Sequence, residues 1–111
     1  MNPVTQFNDR KKAFEDKFAH DEELKFRANA RRNKLLGLWA ADLLDLEEEA
    51  SAAYALEVVK ADLKEPGEED VYRKVKGDLD ARHLDVSEHR VRKAMEDLME
   101  QAMTQIMEET D

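Results

Sequence analysis

Apolar residues recur at helical spacing in four separate stretches of the chain. Within each stretch they lie three or four positions apart, which is the period at which side chains share one face of an α-helix. The pattern predicts helices over residues 21–44, 47–64, 68–82 and 87–107. Their expected inward residues are Leu24, Ala28, Leu35, Leu38, Trp39 and Leu43, then Ala52, Ala53, Leu56, Val59 and Leu63, then Val71, Val75 and Leu79, and finally Val91, Ala94, Met95, Leu98, Met99, Ala102 and Ile106.

The boundaries of these stretches carry residues that begin or end helices. Asp21 stands at an expected N-cap, and Asp85 and Ser87 are both candidates to cap the last helix. Pro66 and Gly67 end the second helix, because proline cannot continue the hydrogen-bond ladder. The three connections are short, so consecutive helices should be antiparallel. The predicted fold class is therefore all-α, an antiparallel four-helix bundle.

The N-terminal stretch is different, because its apolar face is narrow. Phe7, Phe14 and Phe18 would share one side of a helix, with few other apolar residues beside them. A short helix with so little to bury is barely stable alone in water. We therefore expect residues 1–20 to be a flexible N-terminal arm and residues 21–111 to form the four-helix globular domain. The Phe face suits the arm for docking on a partner.

Charge divides the chain in a similar place. The 111 residues carry a net charge of −9, but residues 1–34 hold nine Lys and Arg against six Asp and Glu. An acidic body argues against nucleic-acid binding, since phosphates would be repelled. The basic arm can be attracted to an acidic partner surface.

Several kinds of chemistry lack their residues. There is no Cys for a disulfide or a thiolate metal site, which favours a reducing, cytoplasmic setting. The longest apolar run, residues 35–41, has seven residues, against the ~20 that a membrane helix needs. No Gly-rich phosphate loop or nucleophile–base frame is present. We expect no cofactor, no metal, no catalytic residue and no membrane insertion.

Some residues admit two interpretations. His83, Asp85 and His89 lie near one loop and could hold a metal, but solvated loop and cap residues are favoured. The methionines of the last helix could form a pliable partner surface, but filling of the core is favoured. Trp39 could be an exposed contact, but a residue that anchors the core is favoured. The basic side chains of Arg31, Arg32 and Lys34 could bind phosphate, but a solvated helix face is favoured.

Five segments of the sequence are unusual enough to compare with known families. They are Phe18–Leu24, Ala30–Ala41, Glu57–Asp62, Glu65–Val71 and Arg73–Val75. Together they resemble the zeta-type inhibitor subunit of alphaproteobacterial F-type ATP synthases, in the family's order and over nearly the whole chain. The resemblance weakens from about Ala81 to Arg92 and over the last few residues.

The resemblance implies a bacterial inhibitor rather than an enzyme. Family members look like a four-helix domain with a flexible arm. The arm enters the catalytic head, among its alpha, beta and gamma subunits, becomes helical there and blocks rotation in the direction of ATP hydrolysis. Such a protein would be cytoplasmic and peripheral to the inner membrane through ATP synthase. The partner-binding positions carried over are Phe7, Asp9, Arg10, Lys11, Phe14, Glu15, Lys17 and Phe18.

Two rival functions remain open at the level of sequence. One is a helical adaptor, or a nucleotide-binding module, without inhibitory activity. The other is an enzyme that uses a pair of carboxylates borne on helices. A carboxylate with a strongly shifted pKa inside a pocket would favour the enzyme. An assay of ATP hydrolysis in the presence of the protein would separate inhibitor from adaptor.

Overall fold

The computed structural model describes residues 12–13, 15–62 and 67–110. These residues contain four helices, α1 (Glu22–Leu43), α2 (Glu48–Ala61), α3 (Glu68–Ala81) and α4 (Glu88–Thr110). A helical segment of residues 15–20, here called the N-terminal segment, comes before α1. The part of the chain so described contains no β-strand. The prediction of an all-α fold is confirmed, with helices in the four predicted places.

Two helix starts show side-chain caps. The Asp21 Oδ1 atom accepts a hydrogen bond of 3.1 Å from the backbone N–H of Leu24, which confirms Asp21 as the N-cap of α1. Before α4, the Ser87 hydroxyl accepts a 3.1 Å bond from the Arg90 N–H. Ser87, and not Asp85, is therefore the residue that caps α4.

Helices α1 and α3 end with the same backbone motif. Asp45 follows α1 and His83 follows α3, and each has a φ of 59°. In both places the next residue's N–H bonds to a carbonyl five residues earlier, at 3.0 Å after α1 and 3.1 Å after α3. A residue in the left-handed region followed by this bond turns the chain sharply and satisfies the last carbonyls of a helix. His83 is therefore a turn residue.

The connection between α2 and α3 begins earlier than predicted. Helix α2 ends at Ala61, whereas the sequence pattern predicts Lys64. Residues 63–66, including Pro66, lie outside the described part of the chain. Gly67 precedes α3 with φ 125° and ψ 160°, a backbone conformation that only glycine adopts readily.

The main core lies where α1 packs most extensively on α2 and on α4, and α3 closes it. The predicted stripe of α3 is confirmed, since Val71, Val75 and Leu79 have no exposed surface. On α4 the stripe is confirmed as well: its buried members are Val91, Met95, Ala102 and Ile106, and Ala94, Leu98 and Met99 are half-buried.

The predicted inner faces of α1 and α2 are partly wrong. In α1, Leu24 and Ala28 are buried as expected, and Leu43 is half-buried against the core. The fully buried leucines are Leu36 and, just after the helix, Leu44, whereas Leu35 is half-buried and Leu38 is exposed. In α2, the expected Ala52, Ala53 and Leu56 are exposed, Val59 is half-buried, and Leu63 lies outside the described residues. The buried side chains of α2 are Tyr54, Ala55 and Val58. Trp39 is half-buried and packs against the core from its edge.

A close helix crossing explains these shifts. Gly37 of α1 faces Ala55 of α2, and a Cβ atom built on Gly37 would lie 2.5 Å from the Ala55 Cα. Only a residue without a side chain allows the backbones to come so near. The crossing turns Ala55 and Val58 inward and leaves Leu56 on the outside, 52% exposed.

The crossing gives the first testable prediction. Gly37→Ala should lower the free energy of unfolding by about 1–3 kcal/mol, because the added methyl group forces α1 and α2 apart. Gly77 of α3 is the matched control, since a Cβ there meets no atom within 4 Å. Gly77→Ala should stabilise the protein by about 0.5–1 kcal/mol through higher helix propensity. Urea unfolding followed by circular dichroism measures both, and equal effects would contradict the close crossing.

Candidate functional site

The N-terminal segment joins α1 through a break at Asp21. Asp21 has φ −109° and ψ 107°, an extended conformation between two helical stretches. Its N–H still donates a 3.1 Å hydrogen bond to the Lys17 carbonyl, while its side chain caps α1. The chain therefore changes direction here, and the segment is tied to the start of α1 on both sides of the break.

Phe18 is the buried residue of this segment. Its side chain is only 4% exposed and packs against Leu24 and Ala28 of α1 and Ile106 of α4. Three half-buried methionines of α4 pack against the same cluster. Together these residues form what we call the Phe18 socket, namely Leu24, Ala28, Ile106, Met99, Met103 and Met107. Burying a Phe ring to this extent contributes about 2–3 kcal/mol, and flexible methionines can mould to its shape.

Arg31 braces the edge of the Phe18 socket. Its guanidinium donates a 2.7 Å hydrogen bond to Gln105 Oε1 and lies 2.8 Å from Glu109 Oε1. Both partners are on α4, on either side of Ile106 in sequence. The contacts fix α1 against the end of α4 where Ile106 meets Phe18.

The other predicted partner-binding residues fall into two groups. Glu15 and Lys17 are exposed on the N-terminal segment. Phe7, Asp9, Arg10, Lys11 and Phe14 lie outside the described residues. The assignment of all these positions to a partner contact stays a prediction. For Phe18, the finding is that its ring faces the globular domain, so the domain's apolar packing begins before Leu24.

A groove of about 450 Å³ begins beside the N-terminal segment. Its apolar floor comes from Met95, Met99 and Met103 of α4, and Glu15 lies at its edge. The methionines therefore have two roles that sequence alone did not separate. Met95 fills the main core, whereas Met99, Met103 and Met107 support Phe18.

Arg32 is the site residue that sequence reasoning missed. The sequence pattern predicts a solvated face here, but the side chain of Arg32 is buried and the residue is only 4% exposed. Its Nε donates a 2.8 Å bond to Asn33 Oδ1, and its Nη1 lies 3.5 Å from Glu68 Oε2. Burial lowers the pKa of the Arg32 guanidinium, and the charges of Asp62 and Glu68 oppose that shift. A signal was available, because Arg32 lies four residues after the buried Ala28 and four before Leu36.

Asn33 is buried next to Arg32 and is not fully satisfied. It has no exposed surface, and its Nδ2 has no hydrogen-bond partner among the described residues. Its carbonyl oxygen accepts from Arg32. An amide nitrogen without a hydrogen-bond partner is costly in a core. Arg32 and Asn33 together form a buried polar pair on α1, and Arg32 approaches Glu68 at the start of α3.

An exposed cation network ties α3 to α4 nearby. Arg92 lies 3.0 Å from Glu69 and 3.0 Å from Glu88, and its guanidinium is 4.0 Å from the centre of the Tyr72 ring. The hydrogen bonds that the Arg92 guanidinium donates to Glu69 and Glu88 raise the pKa of Arg92. The network is open to solvent, so it orients the helices more than it stabilises them.

Neither a metal site nor a membrane-spanning helix is found in the part of the chain that the structure describes. No three His, Asp or Glu side chains there are grouped to hold a metal, so His83, Asp85 and His89 do not form the site that was considered. None of its helices combines the length and the apolar character that crossing a bilayer requires.

The comparisons with known proteins agree with this architecture. A family model described as ATPase inhibitor subunit zeta matches residues 4–105. The chain belongs to this family. A protein whose structure was determined by solution NMR is 51% identical, over 78% of this chain and 98% of that one, with a TM-score of 0.69. No curated protein matches the chain. The resemblance inferred from sequence is confirmed, and membership of the family supports an inhibitory, regulatory role rather than an enzymatic one.

The Phe18 socket generates a prediction for stability. Phe18→Ala should lower the free energy of unfolding by about 3–5 kcal/mol, because it empties the socket. Phe18→Leu should recover most of this loss by refilling it. Lys17→Ala, a change of an exposed neighbour, should stay within about 0.5 kcal/mol of the parent. Urea unfolding decides, and a loss below about 1 kcal/mol for Phe18→Ala would show that the ring does not belong to the domain.

The Arg32–Asn33 pair generates a prediction of non-additivity. Arg32→Met should destabilise the protein by about 1–3 kcal/mol, since the Asn33 carbonyl oxygen loses its donor in the core. Adding Asn33→Leu should recover stability, because no buried amide then remains. Arg31→Met serves as the control for losing a neighbouring, partly exposed cation. The free energy of unfolding is measured for Arg32→Met, Asn33→Leu and the double variant. If the loss in the double variant equals the sum of the losses in the two single variants, the two residues are not coupled.

Proposed function

We propose that the protein inhibits ATP hydrolysis by an F-type ATP synthase, with residues 1–20 as the inhibitory arm. The observation that carries the proposal is the match of the family model, which includes most of the arm as well as the four helices. The burial of Phe18 supports it, because that ring would anchor the base of the proposed arm and leave Glu15 and Lys17 exposed to a partner.

The arm would act by folding in the interface between catalytic subunits of the synthase head. Residues 1–18 as a helix would be about 27 Å long at ~1.5 Å per residue, enough to reach into a deep cleft. The cleft would bury Phe7 and Phe14 and so supply the packing that the arm lacks alone. A helix lodged against the alpha, beta and gamma subunits would block rotation in the direction of hydrolysis and hinder synthesis less.

Phe18 would have a separate role in this mechanism. Withdrawing its ring from the socket would forfeit about 2–3 kcal/mol of burial. We therefore infer that Phe18 stays on the domain and positions the arm, while the inserted part ends before it. Phe7, Asp9, Arg10, Lys11, Phe14, Glu15 and Lys17 remain the proposed contacts with the synthase. Arg10 and Lys11 would steer the approach, as charges at the rim of an interface do.

The setting follows from the partner. A regulator of the synthase head would be cytoplasmic and peripheral to the bacterial inner membrane. The proposal involves no cofactor or metal, and no nucleic acid.

The decisive experiment is titration of the full chain into its own purified synthase during ATP hydrolysis. We expect saturable inhibition of hydrolysis. Phe14→Ala should weaken it by roughly 30- to 1000-fold, the equivalent of about 2–4 kcal/mol for one enclosed aromatic ring. Phe18→Leu, which refills the socket, should leave inhibition close to that of the parent.

Association and dissociation rates test the role of the Arg10 and Lys11 charges separately. An Arg10→Ala/Lys11→Ala double variant should associate more slowly and with weaker salt dependence, at a nearly unchanged dissociation rate. Hydrolysis that continues at full rate with saturating protein would refute the inhibitor function. Binding without any slowing would instead indicate the adaptor considered from sequence.

A further inference from the structure

Phe26 is the most exposed large hydrophobic residue in the part of the chain that the structure describes. It lies on the first half of α1 and is 66% exposed. It lines two adjoining grooves, one of about 350 Å³ toward Val59 of α2 and one of about 590 Å³ toward Met99 of α4. Ala30, Val59 and Ile106 line the first groove together with Phe26, so the ring belongs to an apolar patch, and such patches mark interaction sites.

A basic stripe surrounds this ring. Residues 25–34 contain five Lys and Arg and no Asp or Glu, in a chain with 27 acidic and 18 basic residues. Three of the five have carboxylate partners, since Arg27 and Arg31 approach Glu109 and Arg32 approaches Glu68.

Two of the cations remain available. Lys25 and Lys34 are exposed, and neither pairs with a carboxylate among the described residues. Phe26, Ala30 and Lys34 follow one another at four-residue spacing and so form one row along α1. This row, with Lys25 and with Val59 across the groove, is called the Phe26 surface below.

We infer that the Phe26 surface binds an acidic, amphipathic segment on the ATP synthase head, as a second contact beside the arm. The inference rests on the proposed function. An apolar side chain of the partner would enter the groove between Phe26 and Val59, and its carboxylates would face Lys25 and Lys34. Charge complementarity selects the partner, because the groove between Phe26 and Val59 is lined by basic residues, Lys34 among them, and by no acidic one of the described residues.

A second contact would change how the arm works. Once the domain is held on the head, insertion of the arm becomes an intramolecular step at a high effective concentration. Both contacts would then contribute to affinity, while the arm alone would stop hydrolysis. Because the two contacts lie on separate parts of the protein, they should contribute independent factors to affinity.

The test measures equilibrium binding of the labelled full chain to the isolated catalytic head, together with inhibition at saturation. Phe26→Ala and Lys34→Glu should each weaken binding at least tenfold, and Lys34→Glu should also reduce the salt dependence. Both variants should still inhibit fully at saturation, because their arm is intact. Combining Phe26→Ala with Phe14→Ala should multiply their separate effects.

Two matched controls lie elsewhere on the domain. Leu56→Ala removes an apolar side chain that is 52% exposed on α2. Arg73→Glu makes a charge reversal at an exposed position of α3. Both should bind within about threefold of the parent, and circular dichroism checks that every variant is folded.

The outcomes separate the two proposals. Parent-like binding by Phe26→Ala and Lys34→Glu, with inhibition retained, overturns the Phe26 surface and leaves the inhibitor function standing. Failure of the parent chain to bind the head overturns both. A self-associated parent that these variants dissociate, seen by analytical ultracentrifugation, would assign the surface to a second copy instead. Tighter binding of a single-stranded DNA oligonucleotide than of the head would also overturn the proposal.

Discussion

The contact of Gly37 with Ala55 determines which faces of α1 and α2 are buried and which remain outside. A Cβ atom at Gly37 would lie 2.5 Å from the Ala55 Cα, so the two backbones are closer than a side chain at position 37 would allow. With α2 held there, Leu36 and Ala40 of α1, and Leu44 just after it, turn into the main core. The opposite end of α1 is then left to contact α4, the N-terminal segment and solvent.

That free end of α1 carries both proposed functional features. On one side, Leu24 and Ala28 meet Ile106 and receive the Phe18 ring. On another side, Phe26 and Ala30 line an open groove. The first turns of a single helix therefore carry both the residues that receive Phe18 and a separate exposed ring, Phe26.

The boundary between arm and domain is less sharp than the pattern of the sequence indicates. Phe18 belongs to the face of the arm by its spacing from Phe14 and to the domain by its burial. Asp21 breaks the helix, but its N–H bonds to the N-terminal segment and its side chain caps α1. The end of the N-terminal segment is therefore held in place at the start of α1. An inhibitory arm built this way would begin its insertion from an oriented base, which reduces the ordering cost of binding.

The residues alone are enough to locate the four helices and the start of the first. The period of the apolar residues places the helices, Asp21 marks the first cap, and the stripe of Val71, Val75 and Leu79 is correct because no other aliphatic stripe on α3 competes with it. The segments that resemble the zeta family point to the family that the comparison confirms. Each of these features depends on a residue and its near neighbours in the chain, so the order of residues is enough.

Tertiary structure decided what those elements bury. Leu35 to Ala41 is apolar all round, so spacing cannot distinguish Leu36 from Leu35, and only the crossing at Ala55 does. Arg32 looks solvated beside Arg31 until α3 brings Glu68 to it. Phe18 and Phe26 have equal hydrophobicity, yet one is 4% and the other 66% exposed, because α1 and α4 enclose the first ring and no helix of the described residues covers the second. Which face is covered depends on a partner distant in sequence, and periodicity carries no information about that partner.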